Sequence, residues 1–91
     1  MTKQEKAGEK KLKAEVYVTL KPSVLDPQGK AVKHAIATSG MYELKDVRVG
    51  KYIELDLGNI ASNEAETKVK EMCEKLLANT VIEQYKYKLI P

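Results

Sequence analysis

The sequence is poor in the residues that small catalytic or redox-active chains depend on. Its 91 residues include no tryptophan, no phenylalanine, one cysteine and one histidine. A single cysteine cannot form an internal disulfide, which fits a reducing compartment. No apolar run approaches the roughly 20 residues that span a bilayer, and the polar first residues are unlike a signal peptide. We therefore expect a cytoplasmic protein that does not act at a membrane.

Arrangements of side chains that carry chemistry are also missing. One cysteine and one histidine cannot complete a zinc site, and no glycine-rich loop of the phosphate-binding kind occurs. Ser23 and Ser39 have no neighbouring base in sequence, and His34 has no evident carboxylate to orient it. Glu54 and Asp56 alternate onto one strand face, where they are most simply solvated charges. We expect no catalytic, cofactor or metal site in this chain.

The net charge of +3 at pH 7 is confined to one end of the chain. Residues 1–13 carry five lysines and two glutamates, and the remaining residues carry eleven basic and eleven acidic side chains. A nucleic-acid binder is expected to carry its basic patch on the folded face. The distribution therefore predicts a flexible charged tail at residues 1–11, a single domain at residues 12–91 and no nucleic-acid partner.

The first half of the domain predicts a strand followed by a helix. Apolar residues alternate along residues 12–20, as in a strand with one buried face. Asp26 can cap a helix whose first position is Pro27, and Gly40 can end that helix in a left-handed conformation. Between them, small and branched apolar residues fall on one helical stripe, namely Ala31, Val32, Ala35 and Ile36.

The second half predicts two strands, a helix and a last strand. Residues 42–49 and 52–57 read as strands joined in a hairpin at Gly50 and Lys51. Asn63 and Glu66 form a plausible capping box for a helix that Asn79 closes, with Cys73 as a buried core thiol. Residues 81–89 give the final strand, whose apolar face includes Tyr85, Tyr87 and Leu89.

This order of elements predicts an α+β fold of the βαββαβ type. The expected architecture is a two-layer sandwich, with a four-stranded antiparallel sheet and both helices on one face, ferredoxin-like in topology. The uncovered face mixes apolar and polar side chains, among them Tyr17, Thr19, Arg48, Tyr52 and Glu54. A mixed, uncovered sheet face is a plausible docking surface.

Four segments, in order and in register, resemble the PurS family, the small subunit of phosphoribosylformylglycinamidine synthase. They are VYVTLKP at residues 16–22, VLDPQG at 24–29, KDVRVGKYIEL at 45–55 and CEKLLAN at 73–79. Two departures are visible: residues 1–11 precede the family's usual start, and Thr80 stands where the family often has proline after the Ala-Asn pair.

The resemblance implies a role inside a complex. Chains of this family work with a large synthetase subunit and a glutaminase subunit in an ATP-dependent, glutamine-using carbon–nitrogen ligase of purine biosynthesis. ATP and Mg belong to the large subunit and ammonia comes from the glutaminase, so no cofactor is implied for this chain. The family also implies a homodimer or tetramer that bridges the two larger subunits and assists ammonia transfer between them.

The candidate partner contacts lie in two segments. A rigid loop bracketed by proline and a tight hairpin lose little entropy on docking. The predicted contacts are Lys21, Pro22, Asp26, Pro27 and Gln28 in the first segment and Arg48, Gly50, Lys51 and Tyr52 in the second. For each of these residues, a purely structural role in ending a strand or starting a helix stays open.

Two other functions fit the same topology. A ligand-sensing module of the ACT type would bind a small metabolite at its sheet edges. An RNA-binding module would place aromatic side chains on the sheet, but the segment VGKYIEL at residues 49–55 has one tyrosine, no phenylalanine and an acid where phosphate would approach.

Overall fold

The computed structural model describes residues 9–91. The chain forms strand β1 (Glu9–Leu20), helix α1 (Pro27–Thr38), strand β2 (Gly50–Ala61), helix α2 (Ser62–Met72), a π-helical turn (Cys73–Leu77) and strand β3 (Glu83–Ile90). The strands make one antiparallel sheet in the order β2-β1-β3. The α+β class is therefore confirmed, with three strands among the described residues.

Strand β1 lies at the centre of the sheet because its alternation gives it one wholly apolar face. Leu12, Ala14, Val16 and Val18 are all buried, and the residues between them point to the opposite face. The strand begins at Glu9, three residues before the predicted start, so Glu9, Lys10 and Lys11 belong to it. The rest of the predicted tail, residues 1–8, lies outside the described residues.

The predicted four-stranded sheet is wrong, because residues 42–49 form no strand. Glu43, Lys45 and Asp46 interrupt any alternation there and leave that segment without an apolar face. Gly50 pairs with Thr19 and begins β2, so Gly50 and Lys51 are strand residues and not a hairpin turn. A Cβ atom on Gly50 would lie 2.5 Å from the carbonyl oxygen of Val18, which explains the glycine.

Helix α2 crosses the sheet above β1. The chain runs from the end of β2 through α2 to β3, which lies on the other side of β1. Ala65, Val69 and Cys73 are completely buried, and Val69 and Cys73 pack against the apolar face of β1. This placement confirms Cys73 as a core thiol, and burial raises the pKa of that thiol.

The ends of α2 differ from the sequence prediction. The helix begins at Ser62, and its N-cap is Ala61, which offers no side-chain bond, so the predicted capping box of Asn63 and Glu66 is wrong. Asn79 was predicted to close the helix, but the helical turn ends at Leu77 with Ala78 as its C-cap. Asn79 lies in the turn that follows, where its main-chain carbonyl accepts from the Glu83 N–H at 2.7 Å. Strand β3 starts after this turn, and Tyr85, Tyr87 and Leu89 pack at the edge of the core as predicted.

Helix α1 does not cover the sheet. Asp26 is its N-cap and Gly40, with φ of 77°, follows its C-terminus, as predicted. However, within residues 9–91 the elements packed on the sheet are α2 and the turn after it, and α1 makes no extensive contact there. Residues 21–49, which leave the sheet after β1 and return to it at β2, are called the α1 arm below.

The molecule is elongated. The principal dimensions are 58 × 29 × 18 Å and the radius of gyration is 18.1 Å. A compact chain of this length has a radius of gyration of about 12 Å. The fold is thus a small half-covered sheet with a helical arm at one end.

We predict that the single apolar face of β1 dominates stability. Replacing Val16 by threonine keeps the shape of the side chain but puts a hydroxyl into a site with no exposure to water. This change should lower the free energy of unfolding by about 1–3 kcal/mol in urea titrations. The matched change at Val81, which is 79% exposed, should alter it by less than about 0.5 kcal/mol. Equal effects at the two positions would contradict this assignment of the core.

Candidate partner interface

Asp26 joins the two ends of the α1 arm. Its side chain is 3% exposed, and its Oδ1 accepts from the Gly29 N–H at 3.0 Å, which caps α1. Its Oδ2 accepts from the Val49 N–H at 2.8 Å, immediately before β2. The bonds from Val49 and Gly29, with Arg48 nearby, hold the pKa of Asp26 below its usual 3.8. Stability from this carboxylate is therefore present above pH 3.8 and is lost as the pH falls through the lowered pKa.

Arg48 closes the loop between β1 and α1. Its Nη2 donates to the carbonyl oxygens of Lys21 at 3.0 Å and Val24 at 3.1 Å. Within the same loop, the Val24 N–H donates to the Lys21 carbonyl at 2.9 Å. The guanidinium thus ties residues 21–24 to the returning segment. A shallow recess forms beside it, lined by Thr19, Leu20, Pro22, Asp46, Arg48 and Gln84.

Gly29 permits the close approach of α1 to the returning segment. A Cβ atom at this position would collide with the carbonyl oxygen of Val47 and with the Asp26 carboxylate. Farther along the helix, the Lys33 Nζ donates to the Lys45 carbonyl oxygen at 2.8 Å. These contacts fix the orientation of α1 relative to the segment that leads into β2. Sequence reasoning did not assign a contact role to Gly29 or Lys33, because a close backbone approach leaves no periodic pattern.

The structure gathers part of the predicted contact set at one end of the sheet. Lys21, Pro22 and Asp26 meet Arg48 there, with Gly50 and Lys51 at the adjoining start of β2. The Lys51 Nζ lies 3.8 Å from a carboxylate oxygen of Glu83 in β3. Pro27 and Gln28 are exposed in the first turn of α1. Tyr52 does not belong to this group. Its side chain lies on the sheet face that α2 leaves uncovered, where its hydroxyl bonds to Glu15.

A second group of side chains lies on the sheet face that α2 leaves uncovered. We call Glu15, Tyr17, Tyr52, Lys86 and Lys88 the outer-face cluster. The Glu15 carboxylate accepts from the Tyr52 hydroxyl at 2.7 Å and from the Tyr17 hydroxyl at 3.1 Å, and Lys88 Nζ lies 3.7 Å from it. The two tyrosine rings are 5.3 Å apart, and Lys86 Nζ lies 5.5 Å from the Tyr17 ring centre.

Strand register explains why the sequence indicated only part of the outer-face cluster. Alternation alone placed Tyr17 and Tyr52 on this face. The pairing of Tyr17 with both Tyr52 and Lys86, and of Glu15 with Lys88, depends on how β1 aligns with each neighbour. Sequence reasoning assigned no register between β1 and its neighbours, so the role of Glu15 was missed.

The described residues form neither a metal site nor a membrane-crossing helix. Within residues 9–91, no group of three or more His, Cys, Asp or Glu side chains is arranged to hold a metal ion. In the same part of the chain, no helix is both long and apolar enough to cross a membrane. His34 lies exposed on α1, away from both groups described above.

The family model named PurS, described as phosphoribosylformylglycinamidine (FGAM) synthase, matches residues 13–91. The chain belongs to the PurS family. The PurS subunit of phosphoribosylformylglycinamidine synthase from Bacillus subtilis is 56% identical over 77 residues, which cover 85% of this chain and 90% of that protein. A crystal form of B. subtilis PurS matches with a TM-score of 0.78 at 54% identity, covering 88% of this chain and 99% of that one.

Structures of more distant members of the PurS family match equally well. The protein from Methanocaldococcus jannaschii, described as one of the subunits of formylglycinamide ribonucleotide amidotransferase in the purine biosynthetic pathway, has a TM-score of 0.78 at 35% identity, with 87% and 95% of the two chains covered. A chain in the structure of PurLQS from Thermotoga maritima has a TM-score of 0.77 at 29% identity, with 87% and 98% covered. Membership of the family makes this chain a PurS subunit of the synthase of purine biosynthesis.

We predict that the outer-face cluster shifts the titration of one tyrosine. The hydrogen bond from Tyr52 to the Glu15 carboxylate, followed by partial desolvation, raises the pKa of Tyr52 from 10.0 to about 12. Replacing Glu15 by glutamine removes the negative charge, so the Tyr52 pKa should fall toward 10.0. Titration of ring carbon shifts by NMR measures the change. Glu43→Gln is the control and should leave Tyr52 unchanged; an unshifted Tyr52 in the wild-type chain would contradict the cluster.

Proposed function

We propose that this chain is a non-catalytic adaptor of the phosphoribosylformylglycinamidine synthase complex. It bridges the glutaminase subunit and the ATP-dependent synthetase subunit and assists the transfer of ammonia from one to the other. In this proposal, ATP and Mg bind to the large subunit, the chain itself is a homodimer or tetramer, and the complex works in the cytoplasm. Membership of the PurS family supports the assignment to the complex, and so does the similarity to a chain in the PurLQS structure of T. maritima.

The observation that supports an adaptor role best is the rigid end of the sheet beside the α1 arm. Asp26 and Arg48 hold the loop of residues 21–26 through hydrogen bonds to its own backbone and to Val49. Pro22 is exposed in this loop. A loop that is already ordered loses little conformational entropy when a partner binds to it. This end is therefore the part of the chain best prepared to contact a larger subunit.

The charges of the outer face oppose the RNA-binding alternative. Lys86 and Lys88 are basic, but Glu15 forms bonds inside the same cluster, and Glu54 and Asp56 are exposed on the neighbouring strand. Acidic side chains beside the basic ones repel a phosphate backbone. We therefore retain the adaptor role as the proposal.

We predict that the chain is needed for activity with glutamine and not for activity with ammonia. The large subunit and the glutaminase should be assayed with and without this chain, using glutamine or an ammonium salt as the nitrogen source. The adaptor proposal expects that leaving out the chain strongly lowers the activity with glutamine and leaves the activity with ammonium unchanged. Equal glutamine-dependent activity without the chain would show that the proposal is wrong.

A matched pair of variants locates the contact. Pro22→Trp adds bulk to the exposed loop, and Asn59→Trp adds the same bulk to an exposed position at the other end of β2. At limiting concentration of the chain, Pro22→Trp should lower glutamine-dependent activity by about tenfold, the equivalent of about 1.4 kcal/mol of binding, whereas Asn59→Trp should have little effect. A larger loss of activity for Asn59→Trp than for Pro22→Trp would place the contact at the far end of the sheet and contradict the proposed location.

A further inference from the structure

Exposed apolar side chains collect in the segment that leads from α2 into β3. We call residues 76–82 the entry turn. Within it, Leu76 is 82% exposed, Val81 is 79% exposed and Ile82 is 40% exposed. Large apolar side chains gathered on one exposed segment of a small protein mark an interaction site.

The entry turn lies beside the loop that the proposed adaptor role already uses. The Lys21 N–H donates to the Ile82 carbonyl oxygen at 2.8 Å, which joins the turn to the loop of residues 21–26. Leu25 in that loop is itself 63% exposed. The exposed apolar side chains of both segments therefore lie at the same end of the sheet.

Asn79 holds the entry turn in one conformation. Its Oδ1 accepts from the Val81 N–H at 3.2 Å, and its main-chain carbonyl accepts from the Ile82 N–H at 3.0 Å. Its own N–H donates to the Glu83 carboxylate at 2.6 Å. A turn that is already ordered loses little conformational entropy when a partner binds, so its exposed side chains are prepared for contact.

The core of the chain does not use Leu76 or Val81. Cys73 is completely buried and Leu77 packs against the core. Leu76 lies between these two positions in the π-helical turn, and its side chain extends into solvent. Turns of this kind are frequently found at functional sites. Both side chains are thus available to another protein.

The charged side chains that border the entry turn are mainly basic. Lys51 Nζ lies 3.8 Å from the Glu83 carboxylate, and the Lys51 side chain is 62% exposed, whereas that of Glu83 is 16% exposed. Lys21 is partly exposed, and Glu74 and Lys75 on the π-helical turn carry opposite charges. This border favours a partner whose apolar surface is edged by carboxylates.

A second copy of this chain does not match that description. A two-fold contact through this end would bring the same surface of each copy together. Lys21 and Lys51 of one copy would then lie close to those of the other, and like charges across an interface are unfavourable. The neighbouring recess beside Arg48 is lined mainly by polar and charged side chains, so it offers no apolar groove for Leu76.

We propose that Leu76 and Val81 form the apolar anchor through which this chain binds a larger subunit of the synthase complex. The two side chains enter an apolar groove of that subunit, and carboxylates at the border of the groove face Lys21 and Lys51. This inference rests on the proposed function and adds a segment that sequence reasoning left out of the candidate contacts. Its test measures binding and not synthase activity, so the two can fail separately.

Binding titrations with the purified large and glutaminase subunits test the anchor. The wild-type chain should bind at least one of them, and Val81→Asp and Leu76→Asp should each weaken that binding by about tenfold or more. Thr67→Asp introduces the same side chain at an exposed position of α2 and should bind like the wild type. A wild-type chain that binds neither subunit would overturn the anchor and the proposed function together. Equal binding by the wild type and both anchor variants would overturn the anchor alone.

Salt dependence and self-association test the chemistry of the partner. Raising the salt concentration from roughly 50 to 300 mM should weaken binding of the wild-type chain, because salt screens the attraction of Lys21 and Lys51 to carboxylates. Binding that is unchanged or stronger at high salt would overturn the acidic border and the proposal with it. In sedimentation experiments, Val81→Asp should behave like the wild type. A loss of self-association in this variant would assign the turn to a second copy and would also overturn the proposal.

Discussion

The Asp26 carboxylate is the interaction on which the shape of the molecule depends. The chain leaves β1 at Leu20 and must return at Gly50 to pair with the same strand. A connection of this length needs a closed base, and Asp26 provides it by accepting from Gly29 at one end of the arm and from Val49 at the other. The same carboxylate therefore both caps α1 and aligns the start of β2. Both carboxylate oxygens are used, and Arg48 donates to two carbonyl oxygens of the loop, those of Lys21 and Val24.

This closed base determines what is left exposed. Because α1 is held beside the returning segment, the sheet keeps only α2 as cover, and the inner face of β2 is partly open. A chain of this size has little core to spare, and this open surface leaves Ile53, Leu55 and Leu57 only partly buried. The same base presents the loop around Pro22 in a fixed conformation, which is the property on which the proposed adaptor role is argued.

Local sequence signals predicted the elements better than their arrangement. The alternation in β1, the cap at Asp26, the buried Cys73 and the inner face of β3 are confirmed, since each depends on residues close in sequence. The four-stranded sheet and the hairpin at Gly50 are wrong. In that region the glycine marks a close approach to the backbone of β1, and sequence alone does not distinguish this role from a turn.

In the candidate site, too, local features could be predicted from the sequence and the arrangement of strands and helices could not. Contacts within the loop and its return involve Asp26 and Arg48, which sequence reasoning had already named as candidate partner contacts. The outer-face cluster depends on the register between three strands, and the PurS resemblance did not supply that register. The position of α1 could not be predicted either, because an apolar stripe on a helix does not specify where in the fold that helix lies.

Amide hydrogen exchange, measured by NMR in the wild-type chain, in Asp26→Ala and in Asp46→Ala, tests the closed base most directly. Asp46 is an exposed acid in the same returning segment and serves as the control. If Asp26 holds the base, the Gly29 and Val49 amides should lose protection in Asp26→Ala, while the amides of β1 keep theirs and Asp46→Ala resembles the wild type. Unchanged protection of Gly29 and Val49 in Asp26→Ala would contradict the central role given to this carboxylate.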